Sequence, residues 1–178
     1  MKSTIFIPFE RPNLIKTSSP TGIREMYESY LEALELDGLA SSHPIQCTIG
    51  HPRECSQVFD QISYAKGGSV IRMLFHWMGE EKFRKGTSDY LKKHAYQSCK
   101  TVQLWDAFED SINSPDYPVL SVGKQWTALM HYPIIEASLV GGGKSLKLEQ
   151  ECCMGTGQVW QVPLNLEIGG VNTKVLMT

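Results

Sequence analysis

Phe59-Asp60-Gln61-Ile62-Ser63-Tyr64-Ala65-Lys66-Gly67-Gly68-Ser69-Val70-Ile71-Arg72-Met73-Leu74-Phe75-His76-Trp77-Met78 is the stretch that decides the fold. Apolar side chains occupy nearly the whole helical wheel, and the polar stripe is narrow: Ser69, Arg72 and His76. A helix that is apolar on almost every side is buried, so other helices must surround it. Gly67 and Gly68 fall inside this helix, where each costs about 1 kcal/mol relative to alanine; the expected compensation is close approach of another backbone. Lys66 sits among apolar neighbours. A buried ammonium needs a partner, so an ion pair with Asp37, Asp60 or another acid is expected.

Outward from this segment the helical period continues. From Arg24 to about Leu39 apolar residues recur at Tyr27, Tyr30, Leu31, Leu34 and on to 38–39, and the helix should end near Gly38. Residues 40–55 contain His43-Pro44 and His51-Pro52. A residue before proline is pushed out of the helical region, so this is expected to be an extended connector. Downstream, Glu80–Lys93 reads as a helix with Phe83, Thr87, Tyr90 and Leu91 inward. Thr101 is the expected N-cap of a helix to about Ile112, with Leu104, Trp105, Phe108 and Ile112 inside. Val119, Val122, Trp126, Leu129 and Met130 mark one more, stopped by Pro133. Residues 1–23 are rich in Pro, Ser and Thr, lack periodicity, and read as an irregular leader.

After Pro133 the period drops from helical to two. Ile134–Val140 reads as a strand, Gly141-Gly142-Gly143 as a turn, and Leu146 and Leu148 alternate with lysines. Trp160 to Ile168 alternates again, Gly169-Gly170 turns, and Lys174–Met177 is a last strand. Strands with a single apolar face need a partner sheet. The expected class is therefore α+β: a mainly helical subdomain at 24–132, then an incomplete antiparallel β-sandwich at 133–178. This pattern suggests a truncated chain.

The bulk properties exclude several functions. The 178 residues are 42% hydrophobic and 20% charged, with a net charge of −2, which gives no basis for a nucleic-acid or anionic-membrane partner. Lys82, Arg84, Lys85, Lys92 and Lys93 alternate with Glu80, Glu81 and Asp89 and read as a solvated helix face. No apolar run reaches the roughly 18 residues of a membrane span. The apolar residues near the N-terminus are interrupted by Pro8 and Glu10, which is too short a run for a signal peptide, so a cytoplasmic location is expected. Cys47, Cys55, Cys99, Cys152 and Cys153 form no C-x-x-C pair and read as free thiols. His43, Cys47, His51 and Cys55 recur every four residues, but with two of them before proline they read as structural rather than as metal ligands.

The segment from Phe59 to Leu74 resembles a signature of the gluzincin zinc aminopeptidases, the family of the membrane alanyl and puromycin-sensitive enzymes. Further blocks follow in the family's order. Leu36-Asp37-Gly38-Leu39-Ala40-Ser41-Ser42-His43-Pro44-Ile45 stands before it. Gly79-Glu80-Glu81-Lys82-Phe83-Arg84-Lys85-Gly86, Tyr90-Leu91 and Leu104-Trp105 stand after it. Gln125-Trp126-Thr127 and Tyr132-Pro133-Ile134-Ile135 complete the set. The resemblance covers about residues 25–140 and does not include the leader. It departs at Ala65, at Gly68, where alanine is usual, and at His131, where glycine is usual.

The resemblance implies a parent enzyme that removes N-terminal residues from peptides. Zinc is held there by H-E-x-x-H and a downstream glutamate on a thermolysin-like half, followed by a helical half and a β-sandwich. This chain is similar to the helical half and the start of the sandwich. It contains no H-E-x-x-H, and none of His43, His51, His76, His94 and His131 has a second histidine at i+4. No metal is expected to be held by this chain alone, which would then be catalytically incomplete. Tyr64 matches the family tyrosine whose hydroxyl stabilises the tetrahedral intermediate; read from the sequence alone, it is a core aromatic of a buried helix. The implied partners are a peptide substrate in the parent enzyme and a zinc-bearing N-terminal half or full-length paralogue on which the chain docks. The alternative is a non-catalytic binding or regulatory remnant.

Overall fold

The computed structural model describes residues 2–6, 20–168 and 170–178, with side chains described from Glu28 onward except at Gln57 and Gly169. The class is α+β. The elements are β1 (Lys2–Phe6), α1 (Pro20–Asp37), a 3-10 helix (Pro52–Val58), a π turn (Ile62–Lys66), α2 (Gly67–Met78), α3 (Glu80–Lys93), α4 (Thr101–Ile112), α5 (Val119–Ala128), β2 (Pro133–Val140), β3 (Ser145–Cys152), β4 (Val162–Ile168) and β5 (Val171–Met177). The chain divides into two compact units: residues 1–69 with 130–159, and residues 70–129 with 160–178.

In the first unit, β1, β2 and β3 form an antiparallel sheet in that order, with Thr4 opposite Glu136 and Ile135 opposite Gln150. Two readings of residues 1–23 are corrected. Lys2–Phe6 is a strand, and α1 begins at Pro20 rather than Arg24; residues 7–19 lie outside the described residues. Non-local pairing supplies the strand, which local composition cannot announce. Proline is tolerated in a first helical turn, where its missing N–H has no partner to lose. Among the described side chains of α1, Tyr30, Ala33 and Asp37 are buried, whereas Leu31 is exposed. Asp37, on that inward face, meets Lys66 at 2.8 Å. Along β2, Pro133, Ile135 and Ala137 are buried in alternation, as the period of two requires.

The 40–55 connector is not extended throughout. Pro52 opens a 3-10 helix, with Nδ1 of His51 accepting from the Arg53 N–H (3.2 Å) and the Glu54 carboxylate accepting from the N–H groups of His51 (3.2 Å) and Gly50 (2.9 Å). The rule before proline holds at His51 itself, while Pro52 takes the first helical position that suits it.

In the second unit, Trp105, Phe108, Val119, Val122, Trp126, Trp160, Val162 and Leu164 are buried. Phe83 stacks on Phe108 at 5.0 Å, and the Trp126 indole N–H donates to the Gln161 carbonyl at 2.8 Å. β4 and β5 form a hairpin with Leu164 opposite Val175. Two expectations are corrected here. Leu91 is 62% exposed rather than inward. Thr101 is the first residue of α4, and Lys100 is the N-cap, its N–H bonded to the Gln103 side-chain oxygen at 2.6 Å. On α3, Lys85 pairs with Asp89 (2.8 Å) and Arg84 lies 3.8 Å from Glu80, all on the exposed side.

The close approach expected at Gly67 and Gly68 lies elsewhere. A Cβ on Gly68 would meet nothing within 4 Å, and one on Gly67 only Ile45 Cγ2 at 3.9 Å. At Gly86 a Cβ would fall 2.3 Å from Phe108 Cδ1, and at Gly123 2.4 Å from Trp105 Cδ2. These glycines let α3 and α5 lie against the rings of α4. Gly123→Ala is expected to destabilise by about 1–3 kcal/mol through overpacking, in spite of the helix propensity it gains. Gly68→Ala is expected to stabilise by up to about 1 kcal/mol. Urea midpoints of the two variants moving in the same direction would contradict this assignment.

Candidate functional site

Residues 59–66 lie at the head of the buried helix. Asp60 starts the turn: Oδ1 accepts from the Ser63 N–H (3.0 Å) and its carbonyl accepts from the Tyr64 N–H (3.1 Å). The Ser63 hydroxyl donates to the Val58 carbonyl. The turn closes with the Gly67 N–H on the carbonyl of Ile62, five residues back, which is the mark of a π turn. Ile62 and Lys66 go into the core, while Tyr64 is 65% exposed. The reading of Tyr64 as a packed core aromatic is thereby corrected. Its ring lies 6.2 Å from that of Phe59, which is also exposed.

Below the turn lies a buried polar hub. Lys66 Nζ is 2.8 Å from Asp37 Oδ2 and donates to the His131 carbonyl at 2.9 Å. Asp37 Oδ1 accepts from the Ser42 hydroxyl (2.6 Å) and the His131 N–H (2.9 Å). Burial pulls the Lys66 ammonium below the usual lysine range against the opposing charge and hydrogen bond of Asp37. The sequence indicates the ion pair; the hub around it joins α1, the π turn and the segment before β2. His131 has φ of 67°, the left-handed region that costs a non-glycine residue about 1 kcal/mol or more. The glycine usual at this position in the resembled family has a physical reason, and here the ring compensates in part, with Nδ1 2.7 Å from the Asp37 carbonyl.

A second polar cluster borders Asp60. His43 Nε2 is 2.7 Å from Asp60 Oδ2, and His43 Nδ1 is 2.9 Å from the Pro44 carbonyl. Cys47 Sγ lies 3.2 Å from the same Nδ1 and 3.0 Å from the Pro44 carbonyl. Burial pushes the Cys47 thiol up, and the Asp60 charge adds to that. Of the four His and Cys residues weighed for metal binding, His43 and Cys47 meet each other, His51 caps the 3-10 helix, and Cys55 is exposed. Among the described residues no group of three or more His, Cys, Asp or Glu is placed to hold a metal ion. None of the helices in the described residues is long and apolar enough to cross a membrane.

Sequence comparison relates the chain to known proteins. Residues 10–126 match the model of the peptidase family M1 domain. The match begins inside the segment 1–23 read as unrelated leader. Aminopeptidase M1 of Arabidopsis thaliana is 41% identical over 142 residues, which is 78% of this chain and 16% of that protein. Leucyl aminopeptidase of Saccharolobus solfataricus is 36% identical over 142 residues, 78% of this chain and 18% of its own length. Glutamyl aminopeptidase of Sus scrofa is 44% identical over 110 residues, 62% of this chain and 11% of its own. The chain thus spans less than a fifth of the length of these relatives.

Proposed function

Because the chain belongs to peptidase family M1, we propose that it is the helical, tyrosine-bearing portion of a zinc metalloaminopeptidase, with Tyr64 as the donor to the oxyanion that forms when an N-terminal peptide bond is hydrolysed. The observation that carries this reading is the exposure of Tyr64, 65%, between Ile62 and Lys66, which are both buried. Oxygen charge develops only as the carbonyl is attacked. A phenol O–H held toward that position stabilises the transition state over the bound substrate. Asp60 and the Lys66–Asp37 pair fix the turn from both sides, and a fixed donor needs no reorganisation at the moment of reaction.

The residues of this chain do not fit the family's zinc. No H-E-x-x-H occurs in the sequence, and the described residues offer no ligand cluster. No step through the metal is assigned to these residues, and the chain alone is expected to be catalytically silent. The complementary portion, which would bring the metal and bind the peptide, is the proposed partner. Five free cysteines suit a reducing compartment, and cytoplasmic placement is part of the reading.

A second reading is a non-catalytic remnant that docks on a zinc-bearing portion or a full-length paralogue. Phe59, 67% exposed beside Tyr64, favours it, since a large ring in water gains from being covered. Zinc analysis of chelator-washed chain, re-incubated with one equivalent of the metal, tests the shared premise. Both readings expect near-zero zinc. Stoichiometric zinc would overturn the assignment of the metal to another portion, and His43, Cys47, His51 and Cys55 would be the first residues to replace.

A further inference from the structure

From its spacing His43 reads as structural rather than as a metal ligand, and the oxyanion-donor mechanism leaves it unused. Both of its ring nitrogens face acceptors. Nε2 meets a carboxylate oxygen of Asp60 at 2.7 Å, and Nδ1 meets the Pro44 carbonyl at 2.9 Å. A carbonyl cannot donate, and an ionised carboxylate only accepts. A ring that makes both bonds therefore carries both protons. On losing one, Nδ1 can only accept, and the Cys47 thiol 3.2 Å away is the donor at hand. The Pro44 bond is then lost, and the Asp60 carboxylate keeps a hydrogen bond from the ring but loses the attraction of the imidazolium charge.

Asp60 connects this change to the site. One carboxylate oxygen is on His43, the other on the Ser63 N–H, and the backbone carbonyl is on the Tyr64 N–H. We propose that His43 and Asp60 are a positioning pair for Tyr64: the imidazolium ties the Ser42–Cys47 loop to the head of the π turn, and loss of its proton loosens the tyrosine. This rests on the reading of Tyr64 as the oxyanion donor. The groups facing His43 are Asp60 at the head of the turn, Asp37 at the end of α1, itself paired with Lys66, and Cys47 on its own loop.

The direction of titration agrees with the geometry. Burial alone would lower the His43 value, but the Pro44 carbonyl and the hydrogen bond and charge of Asp60, with the charge of Asp37, outweigh it and leave it above 6.5. For Asp60, burial is outweighed by the Ser63 N–H and by the hydrogen bond and charge of His43, which hold its carboxyl below the ordinary 3.8. The histidine's contribution is therefore fully present below pH 6.5 and is lost as pH rises through its raised value. The aspartate's is present above pH 3.8 and is lost as pH falls through its lowered one.

Carbon-13 NMR of the full chain, labelled at histidine and tyrosine rings, tests the pair without any need for activity. The Tyr64 signal is identified by its loss in Tyr64→Phe. Expected are a His43 midpoint above 6.5, a Tyr64 signal that moves with the same midpoint, a Tyr64 signal that stops moving in His43→Gln, and a lowered His43 midpoint in Asp60→Asn. A Tyr64 signal that stays still while His43 titrates, or a His43 midpoint unmoved by Asp60→Asn, would overturn the proposal. Either result is separate from the fate of the catalytic reading, which is decided by turnover.

Discussion

Lys66→Met lowers the unfolding free energy by about 3–5 kcal/mol, the usual cost of stranding one member of a buried ion pair. Asp37 is 2% exposed. With Lys66 gone its carboxylate keeps two neutral donors, the Ser42 hydroxyl and the His131 N–H, which cannot replace a charge at 2.8 Å. The His131 carbonyl also loses its donor, on a residue already held at positive φ. Asp37→Asn combined with Lys66→Met removes both charges, and the double variant is expected to recover a good part of the loss. The pair need not add net stability over an apolar substitute; what costs most is leaving half of it. Urea denaturation of the chain measures this. A change of less than about 1 kcal/mol for the single variant would mean that water reaches Asp37.

Tyr64→Phe, introduced into a complete catalytic domain carrying this segment, is expected to lower kcat by about 10²–10³. KM should change little, since the hydroxyl acts on charge that the bound substrate does not yet carry. The stability of the chain should hardly change, because Tyr64 is exposed and, among the described residues, its ring contact is with Phe59. A parallel loss of folding and rate would instead return Tyr64 to a packing role.

How far the sequence spoke for itself varied from residue to residue. Lys66 shows clearly because a charge among apolar neighbours demands an acid, and Asp37 is among the acids it could reach. The period-two strands after Pro133 and the α3 boundaries are also legible, since each rests on a local pattern. The π turn is not, because one extra residue within Ile62–Lys66 leaves no mark in a periodicity that spans many turns. Tyr64 lies on the side of the helix away from the buried Ile62 and Lys66, and the apolar run around it gives no sign of that exposure. β1 depends on pairing with a strand far along the chain. Gly86 and Gly123 depend on which rings α4 presents to them. His43 is read as structural from its spacing, but its partner, Asp60, 17 residues away, has no local signature.

The central claim is that this chain is the tyrosine-bearing helical portion of an M1 aminopeptidase. Exchanging residues 24–126 for the corresponding segment of the Arabidopsis thaliana relative tests it most directly, through hydrolysis of an aminoacyl-coumarin substrate. The account predicts chelator-sensitive turnover by the exchanged enzyme and none by the isolated chain. An exchanged enzyme that folds and holds its zinc yet does not turn over, or an isolated chain that does, would contradict it.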